Sequence, residues 1–244
     1  MQVNRIVLII TLIFVSNYSF TQSDLVVKVM NELEITIEDC DEMGQFPEKV
    51  LPFNKDLTVI VIPKTGKKEE GMFTLDSYVV VVNNKTKEIK HLYYESYKTS
   101  GWESDAVYIN DISIDTAKYL VQENVRAFGV VIHTRSMSQP NPYSSNYISL
   151  FIPDGKKLQI ILKNFEIYSY GGETNMNCWG KFFETKTTLE MLKRTTHGFF
   201  DIKIINNNSE INYKEKDDDC VESKTSTNSK QVLKFSDGFY KIQK

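Results

Sequence analysis

A tryptophan flanked by two acids is the densest piece of chemistry in this sequence: Gly101-Trp102-Glu103-Ser104-Asp105. An indole can stack on the apolar face of a sugar ring while neighbouring carboxylates accept hydrogen bonds from its hydroxyls. Glu103 and Asp105 could also serve glycoside hydrolysis, which sets two carboxyl groups about 5–9.5 Å apart across the scissile bond. Residues two apart in sequence seldom reach that arrangement. The plainer alternative is a Trp102 that covers the core beside two solvated acids. A second candidate is Tyr168-Ser169-Tyr170. On a strand, Tyr168 and Tyr170 share one face; exposed, they form a binding ridge for protein or glycan, and buried, they are core. Asp217-Asp218-Asp219 could hold calcium weakly or stand as a solvated acidic loop.

Other chemistries find less support. The three histidines, His91, His133 and His197, are far apart in sequence and lack acids at ligand spacing. They read as structural, and no metal or cofactor is expected. No Gly-x-Ser-x-Gly elbow marks a serine nucleophile. The three cysteines are Cys40, Cys178 and Cys220, and no two stand at metal-ligand spacing. Two of them are expected to pair. Closing the Cys178–Cys220 loop is worth about 4 kcal/mol on the chain-entropy model and the Cys40–Cys178 loop about 5, too close to choose between. The leftover thiol is either free and buried or links two chains.

The compartment follows from the N-terminus. Arg5 precedes an apolar run from Ile6 to Val15, broken only by Thr11, and then a stretch that carries the small polar residues Ser16, Asn17, Ser19 and Thr21. That is the pattern of a cleaved secretory signal peptide over residues 1–21. Its apolar centre of about ten residues is half of what a spanning helix needs, and no cysteine near the exit offers a lipid anchor. The formal net charge is −3, with charges mixed along the chain. No basic stripe suits nucleic acid.

The elements that must position these residues are strands. About 220 residues after cleavage form one β-rich domain, 22–244. Leu57–Ile62 and Ala127–His133 are β-branched or aromatic runs. Four hairpins follow from turn chemistry: Tyr78–Val82 with Glu88–Tyr94, Tyr147–Ile152 with Leu158–Leu162, Phe200–Ile205 with Ile211–Tyr213, and Val232–Phe235 with Phe239–Ile242. The turns fall at Asn83-Asn84, Pro153-Asp154-Gly155, Asn206-Asn207-Asn208 and Asp237-Gly238. Asp115 can cap one short helix through Leu120, and Glu215–Lys230 reads as a solvated loop. The expected fold is all-β, antiparallel hairpins and meanders, arranged as a propeller-like array of small sheets or as a sandwich.

Four stretches carry a resemblance: Val50-Leu51-Pro52-Phe53; Ile114–Ala117 with Val125–Val130; Asn141-Pro142-Tyr143; and Gly198-Phe199-Phe200-Asp201-Ile202. Together they resemble an uncharacterised family of exported bacterial proteins, from near Cys40 to Tyr240. That family has no established activity and brings no catalytic residues. The Gly-Phe-x-Asp-Ile element also resembles the blade motif of propeller-like bacterial surface proteins, and some similar periplasmic β-proteins inhibit cell-wall lytic enzymes. Calcium-binding blades carry Asp, Asn and Gly just before this motif, where the present chain has Arg194-Thr195-Thr196-His197.

The resulting expectation is a periplasmic or secreted binding protein of the cell envelope rather than an enzyme. Its partner would be an envelope protein or glycan, and inhibition of a cell-wall-active enzyme is one form this could take. The alternatives are an envelope glycan hydrolase and a structural envelope protein without a ligand.

Overall fold

The computed structural model describes residues 23–242. The expected signal peptide, residues 1–21, lies outside the described residues. The chain is all-β, with strands β1 (Glu48–Leu51), β2 (Asn54–Glu69), β3 (Met72–Asn83), β4 (Ile89–Glu95), β5 (Glu103–Ser104), β6 (Val107–Gln122) and β7 (Val125–Ser136) in its first part. Then come β8 (Tyr143–Asp154), β9 (Lys157–Thr174), β10 (Gly180–Thr196), β11 (Phe199–Lys216), β12 (Asp219–Ser236) and β13 (Phe239–Ile242). Helix α1 (Asp24–Glu32) precedes the strands and a single turn, α2 (Tyr97–Ser100), precedes β5. All thirteen strands are hydrogen-bonded into one sheet, so the hairpins are not separate propeller blades.

That sheet is layered on itself. One antiparallel meander, β1–β4, touches the second at a parallel step, Leu92 beside Lys157. The second meander runs from β6 to β13. Val59, Val61, Val79 and Val81 pack with Phe128, Val130, Ile132 and Phe151 in a core between β1–β4 and β6–β9. The other face of β7 and β8, through Val131, Ile148, Leu150 and Ile152, packs on Ile202, Ile204, Leu233 and Tyr240 of β11–β13.

Burial on both faces explains the unbroken apolar runs. In β3, Val79 and Val81 face the first core, while Val80 and Val82 face α1. A strand covered on one side only would alternate apolar with polar; one covered on both sides does not. Ser23 caps α1, its Oγ accepting from Val26 N at 3.2 Å. Leu25, Val26, Val29 and Met30 then form one buried stripe against Ile60, Ile62 and Cys40.

Three local expectations are corrected. The segment after Asp115 is not a helix; it lies in β6, where the register slips between Asp115 and Tyr119. Asp115 accepts from Ala117 N at 2.8 Å and from Tyr119 Oη at 2.6 Å. The expected cap therefore builds a bulge. Asn206–Asn208 do not turn either. Their side chains join neighbouring strands, with Thr187 Oγ1 donating to Asn206, Thr185 Oγ1 to Asn208, and Asn207 to Asn228. The turn falls instead at Asp217-Asp218, both at positive φ, and residues 219–230 belong to β12 rather than to a loop.

Cys178 and Cys220 are bonded, with Cα atoms 5.4 Å apart. The bridge reaches from the β9–β10 turn to the start of β12, across the end of β11. Cys40 is free and 1 % exposed. Among the described residues, no helix is long and apolar enough to cross a membrane.

Candidate functional site

A cleft of about 520 Å³ opens where the α2–β5 loop leans over the β6–β9 sheet. Its apolar floor is Trp102, Ile109 and Ile132, and its polar rim is Thr134, Tyr143, Tyr147, Asn164 and Glu103. Sheet register sets the rim. Tyr143, Ser145 and Tyr147 alternate along β8 and so share one face. Thr134 stands opposite Ser145 on β7.

The hydroxyls of that face form a chain. Thr134 Oγ1 and Ser145 Oγ share a 2.9 Å hydrogen bond, Tyr143 Oη donates to Ser145 Oγ at 3.3 Å, and the two tyrosine hydroxyls meet at 3.4 Å. Ser145 is wholly buried, so the network fixes the rim from beneath. Burial pushes the Tyr147 phenol above the usual tyrosine range; the hydroxyl of Ser145 works against this and that of Tyr143 with it. Tyr147 is therefore a neutral donor and acceptor throughout the ordinary pH range.

The opposite wall is bolted in place. Ser100 Oγ donates to Leu75 O at 2.9 Å and accepts from Trp102 N at 3.1 Å, while Leu75 N donates to Trp102 O at 2.9 Å. Asn164 Nδ2 donates to Ser100 O at 3.0 Å. Gly101 ends α2 at φ 70°, and a Cβ there would lie 2.9 Å from Asn164 Nδ2. Lys163 adds a tie beneath, donating to Glu95 at 2.6 Å and to Thr99 O at 2.8 Å.

The sequence candidates divide between two places. Trp102 and Glu103 line the cleft, with Trp102 5 % exposed and Glu103 at the surface. Asp105 is exposed, and its carboxylate accepts from Val107 N at 2.9 Å, which shapes the turn into β6. Tyr168 and Tyr170 are half-buried and pair with Asn146 and Ser144. Those residues alternate with Tyr143, Ser145 and Tyr147, so Tyr168 and Tyr170 occupy the other face of the sheet. The Tyr170 ring stacks on Phe182 at 5.6 Å, and Phe182 meets Tyr213 edge-on.

The histidines hold separate joints. His91 Nδ1 donates to Gly155 O, His197 Nδ1 to Phe235 O, and His133 Nε2 shares a 2.8 Å bond with Ser113 Oγ. Among the described residues, no three His, Cys, Asp or Glu side chains gather as a metal site. In the Gly-Phe-x-Asp-Ile element, Asp201 is buried and accepts from Arg194 Nε at 2.6 Å and Thr196 Oγ1 at 2.7 Å. The departure at Arg194–Thr196 thus supplies the partners of this carboxylate. Phe199 stacks on Phe235 at 3.7 Å.

Tyr143, Tyr147, Thr134 and Asn164 join the cleft without standing out as site residues in the sequence. The alternation Tyr143-Ser144-Ser145-Asn146-Tyr147 was the available signal for the first two. Asn164 depends on a register slip in β9 and left no pattern. Compared with known protein families, curated proteins and solved structures, the chain has no significant match.

Proposed function

We propose that this chain is an exported cell-envelope binding protein whose cleft takes a short, uncharged glycan segment. One observation carries the reading: an apolar floor ending at Trp102 faces a rim of fixed hydroxyls and an amide. Clefts that bind small polar ligands join such a surface to a few placed polar groups. Among the described residues lining the cleft there is no lysine, arginine or histidine, which leaves an anionic ligand without a counter-charge. Glu103 is the one carboxylate on that lining, whereas glycoside hydrolysis in its usual form needs two. Binding is therefore favoured over hydrolysis. The signal-like leader and the Cys178–Cys220 bridge support export, because disulfides persist in oxidising compartments.

The test uses intrinsic fluorescence. The chain has two tryptophans; Trp179 is exposed and Trp102 lines the cleft. In a Trp179→Phe background, titration with N-acetylated oligosaccharides of cell-wall type should shift Trp102 emission saturably. Tyr147→Phe should weaken that titration by about fivefold to tenfold, the effect of about 1 kcal/mol from one lost hydrogen bond. Unchanged emission up to millimolar sugar would overturn the glycan reading.

A further inference from the structure

The β12 strand ends in an open edge. It pairs with β11 along nearly its whole length, but with β13 only from Leu233 to Ser236. Among the described residues, nothing pairs with the outer edge from Asp219 to Val232. Residues 219–231 are all exposed. An edge of this length presents a row of unmet backbone donors and acceptors.

We infer that this edge pairs with the same edge of a second copy of the chain, antiparallel and centred on Ser226. A two-fold axis perpendicular to a sheet keeps each face on its own side. Paired residues must then lie an even number of positions apart, and the axis must pass between one residue and its own copy. The open stretch is bounded by the Asp217-Asp218 turn and by β13, and its midpoint falls at residues 225–226. Centred on Thr225, the pairing would set Glu222 against Asn228, with no opposite charge to meet it. Centred on Thr227, it would set Lys224 against Lys230, like against like. Centred on Ser226, Glu222 faces Lys230 at both ends, Ser223 faces Ser229, and Thr225 faces Thr227; Lys224 faces the neutral Asn228, whereas the Thr225 register leaves Glu222, Lys224 and Lys230 all unmatched. Opposite charges and Ser or Thr pairs directly across strands stabilise a sheet, and like charges oppose it. The favourable register is also one that uses nearly the whole open edge, residues 220–232.

The experiment is sedimentation equilibrium of the disulfide-intact protein across a concentration series. A monomer–dimer equilibrium is expected. Lys230→Glu should weaken it by about tenfold, since it sets acid against acid at two symmetric places. Glu222→Lys should do the same, and the double variant Glu222→Lys/Lys230→Glu should restore the wild-type equilibrium. Both positions are exposed; Glu222 also accepts from Tyr213 Oη at 2.6 Å within its own chain, so the folding of each variant is checked by circular dichroism and Lys230→Glu, which breaks no such bond, reads the pairing by itself. A wild type that stays monomeric at a few hundred micromolar, or a double variant as weak as the singles, would overturn the proposal.

Discussion

At the scale of the residue, Trp102 does two jobs. It closes the first core and forms the cleft floor, so Trp102→Ala should cost about 3–5 kcal/mol of stability, read by urea denaturation. Binding loss in that variant would follow from unfolding as well as from the missing ring. Glu103 separates the two effects. It is exposed, and Glu103→Gln should leave stability within about 0.5 kcal/mol while lowering affinity for any ligand that donates to it. Cys40 is the opposite kind of residue. Burial pushes its thiol up to about 12, so it should not react with a thiol reagent in the native protein. One thiol per chain should appear on denaturation without reductant.

Among the elements, β9 and β10 meet at Gly172 with no room for a side chain. A Cβ on Gly172 would sit 2.2 Å from Lys181 O, a backbone atom that cannot swing aside. Gly172→Ala should cost about 3 kcal/mol, the upper end for overpacking, and a thermal melt would show it. The Cys178–Cys220 bridge pins the same end of the sheet. Reducing it should remove up to about 4 kcal/mol on the chain-entropy model, with amide exchange rising first in residues near the β11–β12 turn. This is also the scale at which the sequence was legible or not. Val79–Val82 and Ile148–Ile152 announced strands, because β-branched runs have few other uses. Asp237-Gly238 announced a hairpin through its demand for positive φ. Asn206–Asn208 carried the same signal and misled, since asparagine serves a cross-strand ladder as readily as a turn. The pair Trp102–Glu103 was visible as a motif, while its partners across the cleft are set by a register that no local pattern records.

For the whole molecule, the two faces of the middle layer make stability depend on groups that must stay neutral. Burial raises the phenols of Tyr93, Tyr119 and Tyr240; a hydrogen bond to Glu95 adds to the first, one to Asp115 to the second, and the charge of Asp201 to the third. Cys40 joins them. Each folded value lies above its unfolded one. Below about pH 9 both states hold these protons and stability is intact. Above the unfolded values, near 9 for the thiol and 10 for the phenols, only the unfolded chain releases them. Stability then falls by about 1.4 kcal/mol per pH unit for each such group. Chemical denaturation at stepped pH should show a plateau to about pH 9 and a steep decline beyond 10, with Cys40→Ala flattening only the first part. The seclusion of Cys40 also bears on how the chain matures. Three thiols permit three pairings, yet α1 and β1–β4 all precede Cys178 in the chain, so an exported chain delivers them to the oxidising compartment first. Once that first layer has closed, oxidation has a single outcome left. Refolding the full-length reduced chain forfeits this head start, so mispaired species should accumulate there and not during export.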